Sequence, residues 1–190
     1  MGHDFSNVTA LDRLCDAVLH HGLVRPIYRR HARGVDLAGD ERVLEFGAGS
    51  GAISRHLAPR LDRGGWLVCL DTSEAWLEVA KTRLRRFDNV EFLAGDLLDL
   101  DLSARSFDTI VIHFVLHEVE PDRRADTLGE LARILRDDGR LFIIEFTREE
   151  HGIPARRIRR LMAEAGLQEL SGAEHKPFLF GPSYDGVYGK

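Results

Sequence analysis

Two cysteines, Cys15 and Cys69, are too few for a disulfide framework to hold this 190-residue chain together. Long apolar runs are missing as well: nothing approaches the roughly 18 consecutive apolar residues of a membrane-crossing helix. No signal-like segment opens the sequence, so a cytoplasmic protein is expected. Positive charge is in deficit, with 26 Lys and Arg against 31 Asp and Glu and a formal net charge of -5. That balance argues against general nucleic-acid binding, which needs clustered excess positive charge to neutralise phosphates. Internal repeats, low-complexity segments and linkers are also lacking. What remains, 44% hydrophobic and 30% charged residues, is the composition of a water-soluble globular protein with one core. The expectation is a single domain over 1–190, with an N-terminal helical cap at 1–37 and a core at 38–190.

Periodicity divides the chain in two ways. Val8, Leu11, Leu14, Cys15, Val18 and Leu19 form a helical stripe within residues 7–21, and a second short helix is expected over 23–32. From there extended and helical segments alternate. Strands are predicted at 42–46, 66–71, 90–94, 107–113 and 140–146, and helices at 52–60, 73–86 and 121–136. Asp137-Asp138-Gly139 reads as a turn before the fifth strand. Alternation of this kind predicts right-handed crossovers and a parallel sheet covered on both faces. After the fifth strand the pattern changes to a helix from Pro154 to Gly166 and two extended segments, near 167–175 and 184–189. Such a terminal pair adds an antiparallel edge to a parallel sheet. The fold class is therefore α/β, Rossmann-like and doubly wound, with seven mostly parallel strands and an antiparallel last strand.

The most informative stretch is Val43-Leu44-Glu45-Phe46-Gly47-Ala48-Gly49-Ser50-Gly51. An apolar strand runs into an acidic residue and three alternating glycines, and an amphipathic segment follows. Glycines at such a turn let the backbone come close to a bound ligand and adopt positive φ. In open α/β sheets ligands sit beyond the carboxyl ends of the strands. Four of the five predicted strand ends carry an acidic residue: Glu45, Asp71, Asp96 and Glu145. Asp71, twenty residues after Gly51, stands where a carboxylate accepts hydrogen bonds from ribose hydroxyls. The lesser alternatives are that Asp71, with Thr72 and Ser73, starts the next helix and that Glu45 caps a turn.

With these residues in order, the chain resembles the class I S-adenosylmethionine-dependent methyltransferases. The resemblance is carried by Glu45-x-Gly47-x-Gly49-x-Gly51, Asp71, Gly95-Asp96, Phe107-Asp108 and the segment from Arg133 to Leu141, and it spans roughly 38–170. The run His113-Phe114-Val115-Leu116-His117-Glu118-Val119 is most similar to the small-molecule branch that contains the ubiquinone and menaquinone methyltransferases. The resemblance implies S-adenosyl-L-methionine as cofactor and a small-molecule or lipid-like acceptor. It also implies that Gly47, Gly49 and Gly51 lie against the cofactor and that Glu45 belongs to a network near its amino group. Asp71 would hold the ribose, with Thr72 beside the adenine; Asp96 and Leu97 would flank the adenine, and His113 the methionine portion. The substrate pocket would draw on Tyr28, Phe146 and Tyr184. A sulfonium is cationic, so a ring of carboxylates suits it better than it suits a pyrophosphate.

Methyl transfer from a sulfonium is a displacement at carbon that rests mainly on holding the reactants in line. Where the acceptor carries a proton, His117 or His113 is the candidate base, because histidine titrates near neutrality. The spacing of these two histidines also raises a metal reading, but no third ligand accompanies them, so no metal is expected. A transmembrane segment is not expected, while contact with a membrane surface remains open. The alternatives are methyl transfer to a protein or RNA, an NAD-dependent oxidoreductase served by Gly47, Gly49, Ala52 and Asp71, and a cofactor-binding protein without transfer. Oligomeric state is not readable from the sequence.

Overall fold

A computed structural model describes residues 9–18, 22–148, 152–176 and 181–190. The chain divides into two compact units, Met1–Asp96 and Leu97–Lys190.

The first unit runs α1 (Ala10–Val18), α2 (Arg25–Gly34), β1 (Arg42–Phe46), α3 (Ser54–Leu57), β2 (Trp66–Asp71), α4 (Glu74–Leu84) and β3 (Val90–Ala94). Strand β2 pairs in parallel with β1 and β3, Val68 opposite Leu44 and Glu91. Val43, Leu44, Leu67, Val68, Cys69 and Leu70 are all buried. Strands covered on both faces read as continuous apolar runs, which is why these two were visible as strands. The helix expected over 52–60 is interrupted: α3 gives way at Ala58–Arg60 to a tighter 3-10 turn. Pro59 supplies no N–H for a continuing α-helix, and the turn tightens around it. Helix α4 begins where the Ser73 hydroxyl accepts the Trp76 N–H at 3.4 Å. It buries Leu77, Ala80 and Leu84. Of the helix expected over 7–21, residues 7, 8 and 19–21 lie outside the described residues.

The second unit opens with a 3-10 turn, Leu97–Asp99, and continues through β4 (Phe107–His113), α5 (Arg124–Ile134), β5 (Leu135–Phe146), α6 (Ala155–Glu164), β6 (Gln168–His175) and β7 (Ser183–Gly189). Strands β4 and β5 are parallel, and β7 runs antiparallel to both β5 and β6. Two expectations are corrected here. Helix α5 starts at Arg124 rather than at 121, because residues 120–123 close a turn through Arg123 N–H to the Glu120 carbonyl (2.9 Å). Asp137-Asp138-Gly139 does not precede the fifth strand but bulges within it: Leu135 pairs with Phe107, yet Arg140 pairs with Thr109. Glycine is required at the bulge, since a Cβ on Gly139 would stand 2.8 Å from the Asp108 carbonyl and 2.7 Å from the Leu135 side chain. The strand order of the seven-stranded sheet is β3-β2-β1-β4-β5-β7-β6. A mostly parallel sheet whose final strands run antiparallel is the expected fold class.

Candidate active site

In the first unit, the turn after β1 is built by backbone hydrogen bonds to the end of β2. The N–H groups of Gly47 and Ala48 both donate to the Leu70 carbonyl at 2.9 Å. Gly47, Gly49 and Gly51 have φ of 73°, 51° and 79°, which ordinary side chains rarely tolerate. The reasons for glycine then diverge. A Cβ on Gly51 would press at 3.3 Å on the Cβ of Ala80, so that position packs the turn on α4. Among the described residues, a Cβ on Gly49 would meet nothing beyond its chain neighbours within 4 Å. Gly49 therefore borders open space: its positive φ serves the turn, but no described side chain packs on that position.

Two carboxylates stand at this turn. Asp71, at the end of β2, accepts the Gly49 N–H through Oδ2 (2.7 Å) and the Ser73 N–H through Oδ1 (2.8 Å). It thus fastens the glycine turn and also serves the helix start, the two roles left open by the sequence. Partial burial still pushes its carboxyl above the usual range, against the pull of those two hydrogen bonds. Glu45, inside β1, is buried, and its Oε2 has no hydrogen-bond partner among the described residues. Burial pushes its carboxyl up to about 8, and the charge of Asp71 adds to this. The Ser54 hydroxyl opposes the shift from nearby without a hydrogen bond of normal geometry. A buried acid whose proton affinity is raised by burial and by a neighbouring carboxylate, beside an open glycine turn, forms a site suited to a cation. Thr72 is exposed just past Asp71, and Asp96 lies half-buried after Gly95, whose N–H donates to the Asp71 carbonyl (3.0 Å). Tyr28, buried in α2, has its phenol held up first by burial and then by the charge of Asp16. Asp16 in turn accepts the Ser50 hydroxyl of the glycine turn at 2.6 Å.

The second unit holds another cluster. His113 closes β4 and is buried, and Phe114 follows with φ of 55°. The Phe114 ring stacks on Phe146 at 4.1 Å, while His113 and His117 meet Phe114 and Phe146, respectively, edge-on. His117 Nδ1 lies 2.7 Å from Oε1 of Glu145, a fully buried carboxylate at the end of β5. Glu145 also accepts the backbone N–H groups of His117 (3.2 Å) and Phe146 (2.8 Å). Buried Arg124 caps the same loop, donating to the carbonyls of His117 (2.9 Å) and Val119 (2.8 Å). Burial disfavours a charged His117 ring, but the hydrogen bond and charge of Glu145, joined by Glu118, outweigh it and raise its pKa. With Nδ1 turned to Glu145, Nε2 is left at the partly exposed side, 3.1 Å from Glu118. An imidazole so oriented takes and gives a proton at Nε2.

Two residues expected near the pocket are buried. Tyr184 is fully buried in β7, its hydroxyl bonded to Tyr188 at 2.6 Å and its ring under Arg159 at 4.7 Å. Leu97 is buried in the turn that opens the second unit. Phe146 does join the His113–His117 cluster. Glu145 was visible in the sequence only as one acidic strand end among four. Its pairing with His117 follows from β4 and β5 being parallel neighbours, His113 opposite Ile144. Among the described residues no group of three or more His, Cys, Asp or Glu is arranged to hold a metal ion.

The glycine turn, the acidic strand ends and this strand order together define the class I methyltransferase arrangement. The chain belongs to the methyltransferase domain family, whose model matches residues 43–139, just over half of its length. Its curated relatives include a demethylmenaquinone methyltransferase of Clavibacter sepedonicus, 40% identical over 115 residues that make up 60% of this chain and 45% of the relative. A ubiquinone/menaquinone biosynthesis C-methyltransferase of Pseudomonas fluorescens is 29% identical over 155 residues, 78% of this chain and 59% of the relative. The chain thus spans about half the length of the curated relatives it matches. Solved structures share the fold. The N-methyltransferase NodS of Bradyrhizobium japonicum, in complex with S-adenosylhomocysteine, superposes with a TM-score of 0.73 at 19% identity, covering 95% of this chain and 92% of its own. The cyclase SpnF superposes with a TM-score of 0.76 at 15% identity, covering 87% and 81%.

Proposed function

We propose that this chain is an S-adenosylmethionine-dependent methyltransferase, a single-domain cytoplasmic enzyme whose acceptor is a quinone-type, lipid-like small molecule. The observation that carries the cofactor is the buried, unpartnered Oε2 of Glu45 beside Asp71 at an open glycine turn. Glu45 would meet the positive charge of the methionine portion, and the open side of Gly49 would admit the cofactor's backbone-hugging portion. Asp71 has used one acceptor direction on each oxygen and retains others for ribose hydroxyls. Gly47, Gly51, Thr72 and Asp96 of the first unit complete the set assigned to cofactor binding. When bound, the cofactor supplies an electrophilic methyl group. Dinucleotide binding fits less well: the Gly49 N–H that would serve a pyrophosphate is spent on Asp71, and the Asp71 carboxylate would repel it.

For the acceptor, the reading rests on relatives named for quinone methylation. A ring carbon of a hydroquinone becomes nucleophilic when a neighbouring hydroxyl loses its proton, so a base is useful. His117 is assigned that role at Nε2, with Glu145 holding Nδ1 and thereby the tautomer. Glu145 is a positioning residue, as it touches the base and not the acceptor. The test is calorimetric titration of the full chain with S-adenosylmethionine, S-adenosylhomocysteine and NAD, followed by methyl transfer to a demethylated hydroquinone under reducing conditions. Saturable binding of the first two with labelled product is the expected result. Binding of NAD alone would overturn the reading.

A further inference from the structure

Helix α1 turns its apolar side outward, while Asp16 on the other side reaches inward. Leu11, Leu14, Cys15 and Val18 share one side of the helix, a stripe that a globular protein ordinarily turns to its core. Here Leu11 is 67%, Leu14 60% and Val18 53% exposed, and Leu23, beyond the helix, is 74% exposed. The opposite side holds the helix down. Asp16, with 11% of its side chain exposed, pairs with Arg83 at 2.6 Å and accepts the Ser50 hydroxyl at 2.6 Å. At the first turn Thr9 and Asp12 cap each other: the Asp12 N–H donates to Thr9 Oγ1 (3.2 Å) and the Thr9 N–H to Asp12 Oδ2 (2.9 Å). The side away from the stripe is thus held through Asp16.

The next helix in the chain is strongly basic. Helix α2 carries Arg25, Arg29, Arg30 and Arg33, all exposed, and no acidic residue, in a chain whose formal net charge is -5. The positive field is felt nearby: beyond the effect of burial, Arg25 helps hold Arg55 below its ordinary range, and Arg55, Arg25 and Arg29 do the same to His56. Exposed aliphatic side chains beside arginines are the composition of a helix that lies in a membrane interface.

We propose that the outward stripe of α1 and the arginines of α2 form a docking surface for an anionic lipid bilayer. The aliphatic side chains would enter the headgroup boundary while the arginines meet the negative surface. A second copy is the poorer occupant, because an isologous dimer would set this basic surface against itself. The inference does not depend on which molecule accepts the methyl group, or on whether one does.

The test is co-sedimentation of the full chain with vesicles of phosphatidylcholine alone and of phosphatidylcholine with phosphatidylglycerol. Binding to the anionic vesicles, weakened by salt, is expected. Leu11→Gln with Leu14→Gln, and separately Arg29→Gln with Arg30→Gln, should each lower partitioning on the order of tenfold or more. The positions are exposed, and circular dichroism with the melting temperature checks that both variants stay folded; Val18→Gln replaces the leucine pair if they do not. Absence of binding, indifference to phosphatidylglycerol, or variants that partition like the wild type would each overturn the proposal. So would light scattering that finds a wild-type dimer which the leucine pair converts to monomer.

Discussion

Glu45→Gln should separate the cost of the buried carboxyl from its use. In the folded protein this group titrates at about 8, against an ordinary value of 4.5. The native state therefore holds a proton that the unfolded chain releases above 4.5. Stability contributed this way is complete below pH 4.5 and is lost as pH rises toward 8. Between pH 6 and pH 8 the loss amounts to about 2 kcal/mol, since one pKa unit corresponds to about 1.4 kcal/mol. For a chain of this size that is about 4–8 °C of melting temperature. Glutamine keeps the shape and cannot ionise. Melting curves across this window should show the wild type falling by that amount relative to Glu45→Gln. Binding gives the complementary signal. A cation at Oε2 would draw the pKa down, so S-adenosylmethionine should release close to one proton near pH 7. Titration calorimetry in buffers of different ionisation enthalpy reads that proton directly. The variant should bind more weakly and release little. Parallel pH–stability curves for the two proteins, or identical proton release from both, would refute the assignment.

The glycines make a second, paired prediction. Gly51→Ala combines φ of 79° with contact on Ala80, so it should cost about 1–3 kcal/mol in thermal unfolding. Gly49→Ala faces open space and should unfold nearer the wild type, yet lose on the order of tenfold or more in cofactor affinity; wild-type affinity would remove Gly49 from the site. His117→Ala should lower kcat roughly 100-fold or more with little change in cofactor Kd, and unchanged turnover would dismiss it as base. Glu145→Gln should move the acid limb of the kcat/KM profile to lower pH, because the carboxylate is what raises the His117 pKa. A lowered kcat with an unmoved limb would make Glu145 merely structural.

Local patterns reveal those features whose cause is local. The buried strands β1, β2 and β4 announce themselves because both faces are covered, and the glycine turn because its positive φ values admit few other residues. The fifth strand was harder. Asp137-Asp138-Gly139 has the composition of a turn, and only pairing with β4 keeps it inside the strand as a bulge. Likewise Pro59 shortens α3 through a missing donor whose effect depends on which helix type follows. The site divides along the same line. Asp71 was legible from its distance to the glycines, but its hold on the Gly49 and Ser73 N–H groups was not. Nothing near His117 in sequence points to Glu145, 28 residues on, because strand register brings the two together. Tyr184 was expected at the pocket from the resemblance alone; pairing with β5 and the bond to Tyr188 bury it.

Helix α1 marks the limit of reading a stripe. Hydrophobic periodicity says that Leu11, Leu14 and Val18 share a side; it does not say what covers that side. The direction is decided by a single polar residue. Asp16 finds Arg83 and Ser50, and an ion pair with little exposure would leave a nearly buried charge unpaired if the helix were rolled over. Turning the stripe inward would have to offset that loss. Replacing Asp16 with a leucine would remove the obstacle and leave Arg83 without its carboxylate. The resulting protein should protect Leu11 and Leu14 from solvent only if the helix rolls. A cysteine placed at Leu14 and probed for thiol reactivity, with Cys15 replaced by serine, reads which way it faces. Reactivity that stays high in the Asp16→Leu background would mean that the outward stripe is held by more than this ion pair.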